Sequence, residues 1–364
     1  LLCRAFRKRG GDKLFEKEIN SALAFQEKQP YRNAHFHFNN YLLHIERVEA
    51  YPTQKERTKE PELQKPIDEL TLFYISDILK QSCGVLSVQA MMKKNYTMNF
   101  LEEVLAHVEI TDYSKMPAIE IYFNVYKALS DLNEEKYFNQ LKFLINKNWA
   151  SFPPEESRAI YLLAVNCCIK RLNKGNRKYI REAFELYKSG LENKVLLENG
   201  VLSTFTYNNT SRLGLALEEI DWVEKFLEDY KPYLPYAERD NIFTYNMAYL
   251  NFKKPDYEKA MGLLQKVDFK DVLYNLDSRS MLLRIYYELG YYDALDSLLD
   301  SFNVYLGRRK DIGYHKDNYA NLIRFVKKIL KANLSDKAQR NKLIEEIEAT
   351  QAIAEKPWLL EQLK

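Results

Sequence analysis

The stretch YNMAYLNFKKPDYEKA (245–260) decides the fold, because a related string, LLRIYYELGYYDAL (282–295), follows it along the chain. In both strings aromatic side chains precede a short turn, and an alanine, Ala260 or Ala294, follows it. Apolar residues recur every three or four positions, as in Leu282, Ile285 and Leu289, which is the period of a helix. Strand-like alternation never continues beyond a few residues. We therefore predict an all-α fold built from antiparallel helix pairs.

The first string resembles the tetratricopeptide pattern, in which helix one carries Y-N-L-G-x-x-Y-Y and helix two begins D-Y-x-x-A. This resemblance implies a right-handed α-solenoid of helix pairs. Small residues at 248 and 260 are expected to let the two helices of one pair approach closely. The matching positions are Tyr245, Asn246, Met247, Ala248, Phe252, Asp256, Tyr257 and Ala260.

Three regions are predicted along the chain. Residues 1–110 form an N-terminal helical region with helices near 13–27, 31–49 and 64–94, and a loop lies near 51–63, in the Pro-rich linker candidate 51–66. Residues 111–332 form tetratricopeptide-like repeats, and 333–364 form a capping helix and tail. Ser335 is the expected N-cap of that helix. Trp358, Leu359 and Leu360 are expected to cover the last open apolar face, because solenoids need such a cap.

Longer runs extend the resemblance beyond the generic repeat. The chain is similar to an uncharacterised tetratricopeptide-like family of Bacteroidota over nearly its whole length. That similarity implies a helical-repeat fold and a cytoplasmic setting, and it assigns no functional residue. Because family members continue upstream and this chain starts without Met, we expect a fragment that lacks the family's N-terminal region. The runs are RKRGGDKLFEKEI (7–19), EKQPYRNAHFHFNNYLL (27–43), NKGNRKYIREAFELYKSGL (173–191), YNLDSRSMLLRIYYELG (274–290) and EKPWLLEQL (355–363).

Composition disfavours several classes of protein. The formal charge is only +3, from 54 Lys and Arg against 51 Asp and Glu, so a polyanionic partner is not required. Glycine is scarce, 11 in 364 residues, which disfavours folds that need phosphate-cradling loops. The four cysteines, Cys3, Cys83, Cys167 and Cys168, contain no C-x-x-C motif and are interpreted as reduced core residues. Since no apolar run reaches about 18 residues, no membrane span is predicted.

Catalytic and metal motifs are absent from the sequence. It contains no P-loop, G-x-S-x-G, H-E-x-x-H or dinucleotide fingerprint. His35, His37 and His44 lie on one predicted helix, but their spacing lacks the i, i+4 pair of a metal site, so packing is favoured over metal binding. The pair Glu155-Glu156 opens a predicted helix and is interpreted as solvated surface. We therefore predict no enzymatic activity, no cofactor and no metal.

The segment NYANLIRFVKKILKA (318–332) is a basic amphipathic helix that has two interpretations. It could lie on a membrane or on a partner helix. It also directly follows two repeats, where a solenoid requires another helix. The second interpretation is favoured.

The tetratricopeptide resemblance implies that the first helix of each pair lines a ligand-binding groove. Asn and Arg at groove positions could hold a peptide backbone or a carboxylate, and Tyr could supply a rigid anchor. The alternative is that these side chains only pack between helices. Mapping the pattern onto this chain selects Asn208, Arg212, Tyr245, Asn246, Tyr249, Lys253, Arg284 and Tyr287.

Two functions remain open from the sequence. The first is a non-enzymatic scaffold that binds a protein or peptide in the groove. The alternative is a nucleic-acid-binding repeat protein, suggested by the interleaved Lys174, Arg177, Lys178, Tyr179 and Arg181. The near-neutral total charge makes nucleic acid the weaker hypothesis. The ligand and the oligomeric state are left open.

Overall fold

The computed structural model describes residues 2–51, 62–92, 96–267, 272–309, 312–313 and 315–364. Eighteen α-helices account for most of these described residues. Helices that are neighbours in the sequence pack against each other, and the predicted all-α class is confirmed. The solenoid arrangement stays a prediction. The chain divides into two compact units, residues 1–206 and 207–364, so the division falls inside the predicted repeat region 111–332.

Unit 1 contains nine complete helices, a short hairpin and a 3-10 turn at Trp149–Ser151 within its described residues. Its helices are α1 (Leu2–Lys8), α2 (Asp12–Glu27), α3 (Ala34–Ala50), α4 (Gln64–Met92), α5 (Leu101–Ile110), α6 (Pro117–Ser130), α7 (Glu135–Asn148), α8 (Pro154–Asn173) and α9 (Tyr179–Glu192). Its strands are β1 (Leu197–Glu198) and β2 (Val201–Leu202).

Unit 2 begins within α10 and continues to the C-terminus, with a 3-10 turn at Lys231–Tyr233. Its helices are α10 (Thr204–Ala216), α11 (Ile220–Tyr230), α12 (Arg239–Lys253), α13 (Tyr257–Leu264), α14 (Val272–Glu288), α15 (Tyr292–Arg308), α16 (His315–Lys331), α17 (Lys337–Ala349) and α18 (Lys356–Glu361).

The three helices predicted in the N-terminal region are confirmed as α2, α3 and α4. Helix α3 begins at Ala34, three residues later than predicted, because Asn33 caps it and its side-chain oxygen accepts the Phe36 amide at 3.2 Å. Most of the predicted linker, residues 52–61, lies outside the described residues.

The pair α12 and α13 packs as the repeat pattern predicts. Ala248 and Ala260 are fully buried, so both close-approach positions face the core. Asp256 caps α13, and its carboxylate accepts the Lys259 amide at 3.3 Å. The cluster around the two alanines contains Tyr245, Phe252, Leu264, Met281 and Ile285.

The C-terminal core joins α14, α15, α16, α17 and α18. The apolar side of α16 is buried there, including Phe325 and Ile329, so the interpretation of residues 318–332 as a packed helix is confirmed. Trp358 and Leu359 are buried in the same cluster, and Leu360 packs against it, as expected of a cap. Trp358, Leu359 and Leu360 follow Pro357, which occupies the first turn of α18 without losing a needed N–H.

One local prediction was wrong, and one local feature was not predicted. The cap of α17 is Asp336, one residue after the expected Ser335, and its carboxylate accepts the amides of Ala338 and Gln339. The feature that was not predicted is the antiparallel hairpin of β1 and β2. Asn199 and Gly200 have φ values of 51° and 79°, and such a pair suits a tight primed turn.

Glu156 is buried, which corrects its interpretation as solvated surface. Its Oε1 accepts the Tyr122 hydroxyl at 2.8 Å and the Lys80 ammonium at 3.0 Å. Its Oε2 accepts the Asn33 amide at 2.6 Å. Burial of a carboxylate is tolerated when hydrogen bonds and a cation compensate it, and here three side chains do so. Glu156 therefore ties the start of α8 to α4, α6 and the cap of α3.

All four cysteines are free thiols, and all lie in unit 1. Cys83, Cys167 and Cys168 are fully buried, as predicted for core residues, whereas Cys3 is half-buried. Burial raises the pKa of the Cys167 thiol to about 12, because the thiolate would lose its hydration. The buried thiols therefore stay protonated in the folded chain.

Candidate functional site

All eight predicted groove residues lie in unit 2, on α10, α12 and α14. In the predicted repeat pattern these are the first helices of three successive pairs. Direct side-chain hydrogen bonds join each of these helices to another of the three. The predicted residues separate into a buried group, a half-exposed group and a group covered by the C-terminal segment.

The buried group is a chain of amides that links the three helices. Asn246 donates to the Asn208 side-chain oxygen at 2.5 Å and to the Ile242 carbonyl at 2.8 Å. Asn208 in turn donates to the Tyr274 hydroxyl. Asn246 is only 1% exposed and Asn208 only 5%, so their amides are committed to each other rather than to solvent. These buried amides therefore hold α10, α12 and α14 in fixed positions relative to one another.

An ion pair lies next to these amides. The Arg212 Nη2 donates to the Asp277 carboxylate and to the Tyr245 hydroxyl, both at 2.5 Å, and Tyr245 donates to the same carboxylate. The side chain of Arg212 is 39% exposed and that of Asp277 is 26% exposed. Desolvation opposes the charge of Arg212, but Asp277 and two tyrosines outweigh it and raise the pKa of the guanidinium. Arg212 is thus a fixed cation that solvent still reaches.

Two cations lie close to the ring of Tyr249. The Arg212 guanidinium carbon is 4.9 Å from the centre of its ring, and the Lys253 ammonium is 5.6 Å from the same centre. Both distances fall within the range of cation–π attraction. Lys253 is exposed. We call Arg212, Tyr249 and Lys253 the basic aromatic patch.

The last two predicted residues contact the C-terminal segment of the same unit. Arg284 donates to the Glu355 carboxylate at 2.7 Å, and its guanidinium carbon lies 5.4 Å from the Trp358 ring. Tyr287 meets Trp358 edge to face, with ring centres 5.3 Å apart. Trp358 also donates its indole N–H to Glu288 at 2.7 Å. In this structure, Arg284 and Tyr287 hold the capping segment in place.

Sequence reasoning missed two members of this site, Tyr274 and Asp277. Both belong to the first two turns of α14, ahead of the positions that the repeat pattern selects. The available signal was Asp277 itself, an ionisable residue seven positions before Arg284 on a helix that is otherwise mostly apolar. Two helical turns place such residues on one face, so a face with both signs of charge could have been inferred.

The residues that suggested nucleic-acid binding are differently placed. Lys178 donates to Glu135 at 2.5 Å, and Arg181 lies 3.8 Å from Glu185. Tyr179 is buried and packs edge to face on Phe138, so its ring is not exposed for stacking on a base. Lys178 and Arg181 thus have carboxylate neighbours within unit 1, and the ring of Tyr179 is not accessible to a base.

The histidines do not form a metal site in the part of the chain that the structure describes. His37 is buried, and its Nδ1 lies 2.7 Å from the Glu69 carboxylate. Within the described ranges, no three His, Cys, Asp or Glu side chains are grouped so that they could hold an ion. A membrane-spanning helix is likewise not found among the described residues.

The chain matches no protein-family model, and it has no significant match among curated proteins or solved structures. The resemblance to a tetratricopeptide-like family of Bacteroidota therefore stays a prediction. Functional inference for this chain accordingly depends on the geometry of its own residues.

Proposed function

We propose that this chain is a non-enzymatic helical-repeat scaffold of the cytoplasm that binds a segment of another protein on the face formed by α10, α12 and α14. The observation that carries the proposal is the basic aromatic patch, in which the cations of Arg212 and Lys253 both lie within 6 Å of the Tyr249 ring centre, at 4.9 and 5.6 Å. Tyrosine and arginine are the side chains that most often dominate binding energy at protein interfaces.

The patch is preorganised for binding. Asp277 and Tyr245 already fix the Arg212 guanidinium, and the buried amides of Asn208 and Asn246 fix the helices beneath it. Less side-chain entropy is then lost when a ligand arrives. Lys253 adds an exposed positive charge on the next turn after Tyr249. An extended peptide segment that carries acidic side chains is the ligand that this arrangement favours.

The test compares two charge reversals in the full chain. Lys253→Glu changes the patch, and Lys259→Glu changes an exposed lysine on α13, the second helix of the same pair. Peptides are selected from a displayed random library on the wild-type protein, and their affinities are measured by fluorescence anisotropy. We expect acidic peptides to be enriched, and we expect Lys253→Glu to weaken their binding by about tenfold or more, whereas Lys259→Glu has little effect.

Either of two results would overturn the proposal. One is the enrichment of no peptide, and the other is an equal affinity of both variants for every enriched peptide. Labelled RNA and DNA, measured across a salt series, form the second arm. Binding that falls steeply with salt and is unchanged in Lys253→Glu would support the nucleic-acid alternative instead.

A further inference from the structure

Glu355 pairs with an arginine that adjoins the basic aromatic patch. Its carboxylate Oε2 accepts a hydrogen bond from the Arg284 Nη1 at 2.7 Å. The Arg284 guanidinium carbon lies 4.7 Å from the centre of the Phe252 ring, and the centres of the Phe252 and Tyr249 rings are 6.4 Å apart. Two aromatic rings therefore connect the ion pair of Arg284 and Glu355 to the patch.

The charge of Glu355 acts on the patch itself. Burial raises the pKa of the Tyr249 hydroxyl. The positive charges of Arg212 and Arg284 oppose this rise, whereas the negative charges of Asp277 and Glu355 add to it. A carboxylate that acts on Tyr249 also repels an acidic side chain that approaches the same ring. Glu355 thus disfavours the class of ligand that the patch favours.

The Arg284 guanidinium is held in place but not saturated. The rings of Phe252 and Trp358 lie close to it, and its side chain is still 19% exposed. In the described part of the chain, its contact with Glu355 joins one nitrogen to one oxygen, and its buried Nε has no hydrogen-bond partner. Arginine binds a carboxylate more strongly through two parallel hydrogen bonds. Glu355 therefore does not use the full capacity of this guanidinium.

The backbone at Glu355 is in a conformation that a glutamate rarely adopts. Its φ is 56°, in the left-handed region, which glycine enters readily and which is unfavourable for a residue with a Cβ. Such residues are concentrated at ligand clamps and switch regions. The side chain is 35% exposed, just before α18. The capping segment thus presents a carboxylate that solvent reaches, at a position where a turn alone would favour glycine or asparagine.

We propose that Glu355 is an internal competitor for the ligand: its carboxylate occupies Arg284 as an acidic side chain of a bound peptide would. The inference rests on the proposed function and deepens it, because it assigns the ligand two acidic side chains, one for the basic aromatic patch and one for Arg284. The ligand gains the second contact when the side chain of Glu355 turns away. The buried Trp358 and Leu359 keep the cap in place meanwhile.

The first experiment compares Glu355→Gln with the wild-type chain. Peptides are selected from the displayed library on both full chains, and their affinities are measured by fluorescence anisotropy. If Glu355 occupies Arg284 in about nine-tenths of the molecules, its removal should tighten the binding of acidic peptides about tenfold. The matched control is Glu361→Gln, which removes the same charge from an exposed position on α18 and should change the affinity by less than about twofold. A purely structural role of Glu355 predicts no gain in affinity.

The second experiment is a double-mutant cycle with Arg284→Gln. In the Glu355→Gln background, Arg284→Gln should cancel the gain in affinity, whereas in the wild-type background its effect should be smaller because Arg284 is already occupied. Circular dichroism and thermal unfolding check the fold of each variant. A third arm leaves the protein unchanged and replaces each acidic residue of the peptide by its amide in turn. Loss of one particular carboxylate should remove the advantage of Glu355→Gln over the wild type.

The outcomes separate this inference from the proposed function. If Lys253→Glu weakens peptide binding but Glu355→Gln does not strengthen it, the role of Glu355 is overturned and the proposed function stands. If no acidic peptide is enriched on either chain, both are overturned. A gain that Glu361→Gln reproduces, or that persists when Arg284→Gln is added, would reflect general repulsion and would overturn the competition for Arg284.

Discussion

Replacing Arg171 is predicted to destabilise unit 1, because this buried guanidinium caps the end of a neighbouring helix. Arg171, on α8, is only 2% exposed. Its Nη1 donates to the Ala128 carbonyl at 2.8 Å, and its Nη2 donates to the Asp131 carbonyl at 3.2 Å. Helix α6 ends at Ser130, where the last carbonyls lack partners within the helix. Arg171 supplies the missing donors from outside.

The magnitude follows from the contacts. Two hydrogen bonds from a charged donor to another helix contribute about 3–6 kcal/mol in total. The buried Arg171 Nε has no hydrogen-bond partner in the described part of the chain, and leaving it unpaired costs about 1–3 kcal/mol. The net contribution is therefore about 3 kcal/mol. Attraction to the rings of Phe138 and Tyr179, 5.6 and 5.3 Å away, adds to it.

The assay is urea unfolding of three variants. Arg171→Met keeps most of the side-chain volume and should lose about 3 kcal/mol of unfolding free energy. Arg171→Lys should lose about half of that, because an ammonium cannot reproduce the planar fork of a guanidinium. Arg181→Met, at a half-exposed position on α9, serves as the control and should change stability by less than about 0.5 kcal/mol.

An Arg171→Met variant as stable as the wild type would refute this reasoning. It would mean that removing the guanidinium from water costs as much free energy as its hydrogen bonds contribute. Some buried ion pairs behave in that way when apolar residues replace them.

Two further predictions concern packing and pH. A Cβ at Gly190 would lie 2.9 Å from the Leu196 side chain, so Gly190→Ala should lower the free energy of unfolding by about 1–3 kcal/mol. A Cβ at Gly84, on α4, would meet open space, so Gly84→Ala should raise the free energy of unfolding by up to about 1 kcal/mol. Urea unfolding checks both. Burial opposes the charge of Glu46, but hydrogen bonds from Arg4 and Arg7 outweigh it and lower the pKa of Glu46. A lowered folded-state pKa gives stability that is present at neutral pH and lost as pH falls through that pKa. Glu46→Gln should therefore lose less stability between neutral pH and acid than the wild type, and equal losses would contradict the assignment.

Local patterns were sufficient for the helix pairs. Ala248 and Ala260 were predicted at a close approach because a small residue in each helix is a local requirement of the repeat, and both are buried there. The hairpin was missed although Asn199-Gly200 is a strong turn signal. Its strands contain only two residues each, which is too short for an alternating pattern to be visible.

Contacts between residues that lie far apart along the chain could not be predicted from the sequence. Glu156 contacts Asn33, Lys80 and Tyr122, which lie 123, 76 and 34 positions away along the chain. A carboxylate in the first turn of a helix is normally solvated, and nothing local distinguishes this one. The same limit applies to Asp277 opposite Arg212, 65 positions apart, since the pair exists only when α10 and α14 lie side by side.

All four thiols lie in unit 1, so their chemical modification reports on the unfolding of that unit. A maleimide or a thiol-exchange reagent should modify the half-buried Cys3 promptly, while Cys83, Cys167 and Cys168 react only after the core opens. Unit 2 contains no cysteine, so the same reagent does not detect its unfolding. Counting modified thiols by intact mass therefore separates the opening of one half of the chain from that of the other, with no label added and no residue changed.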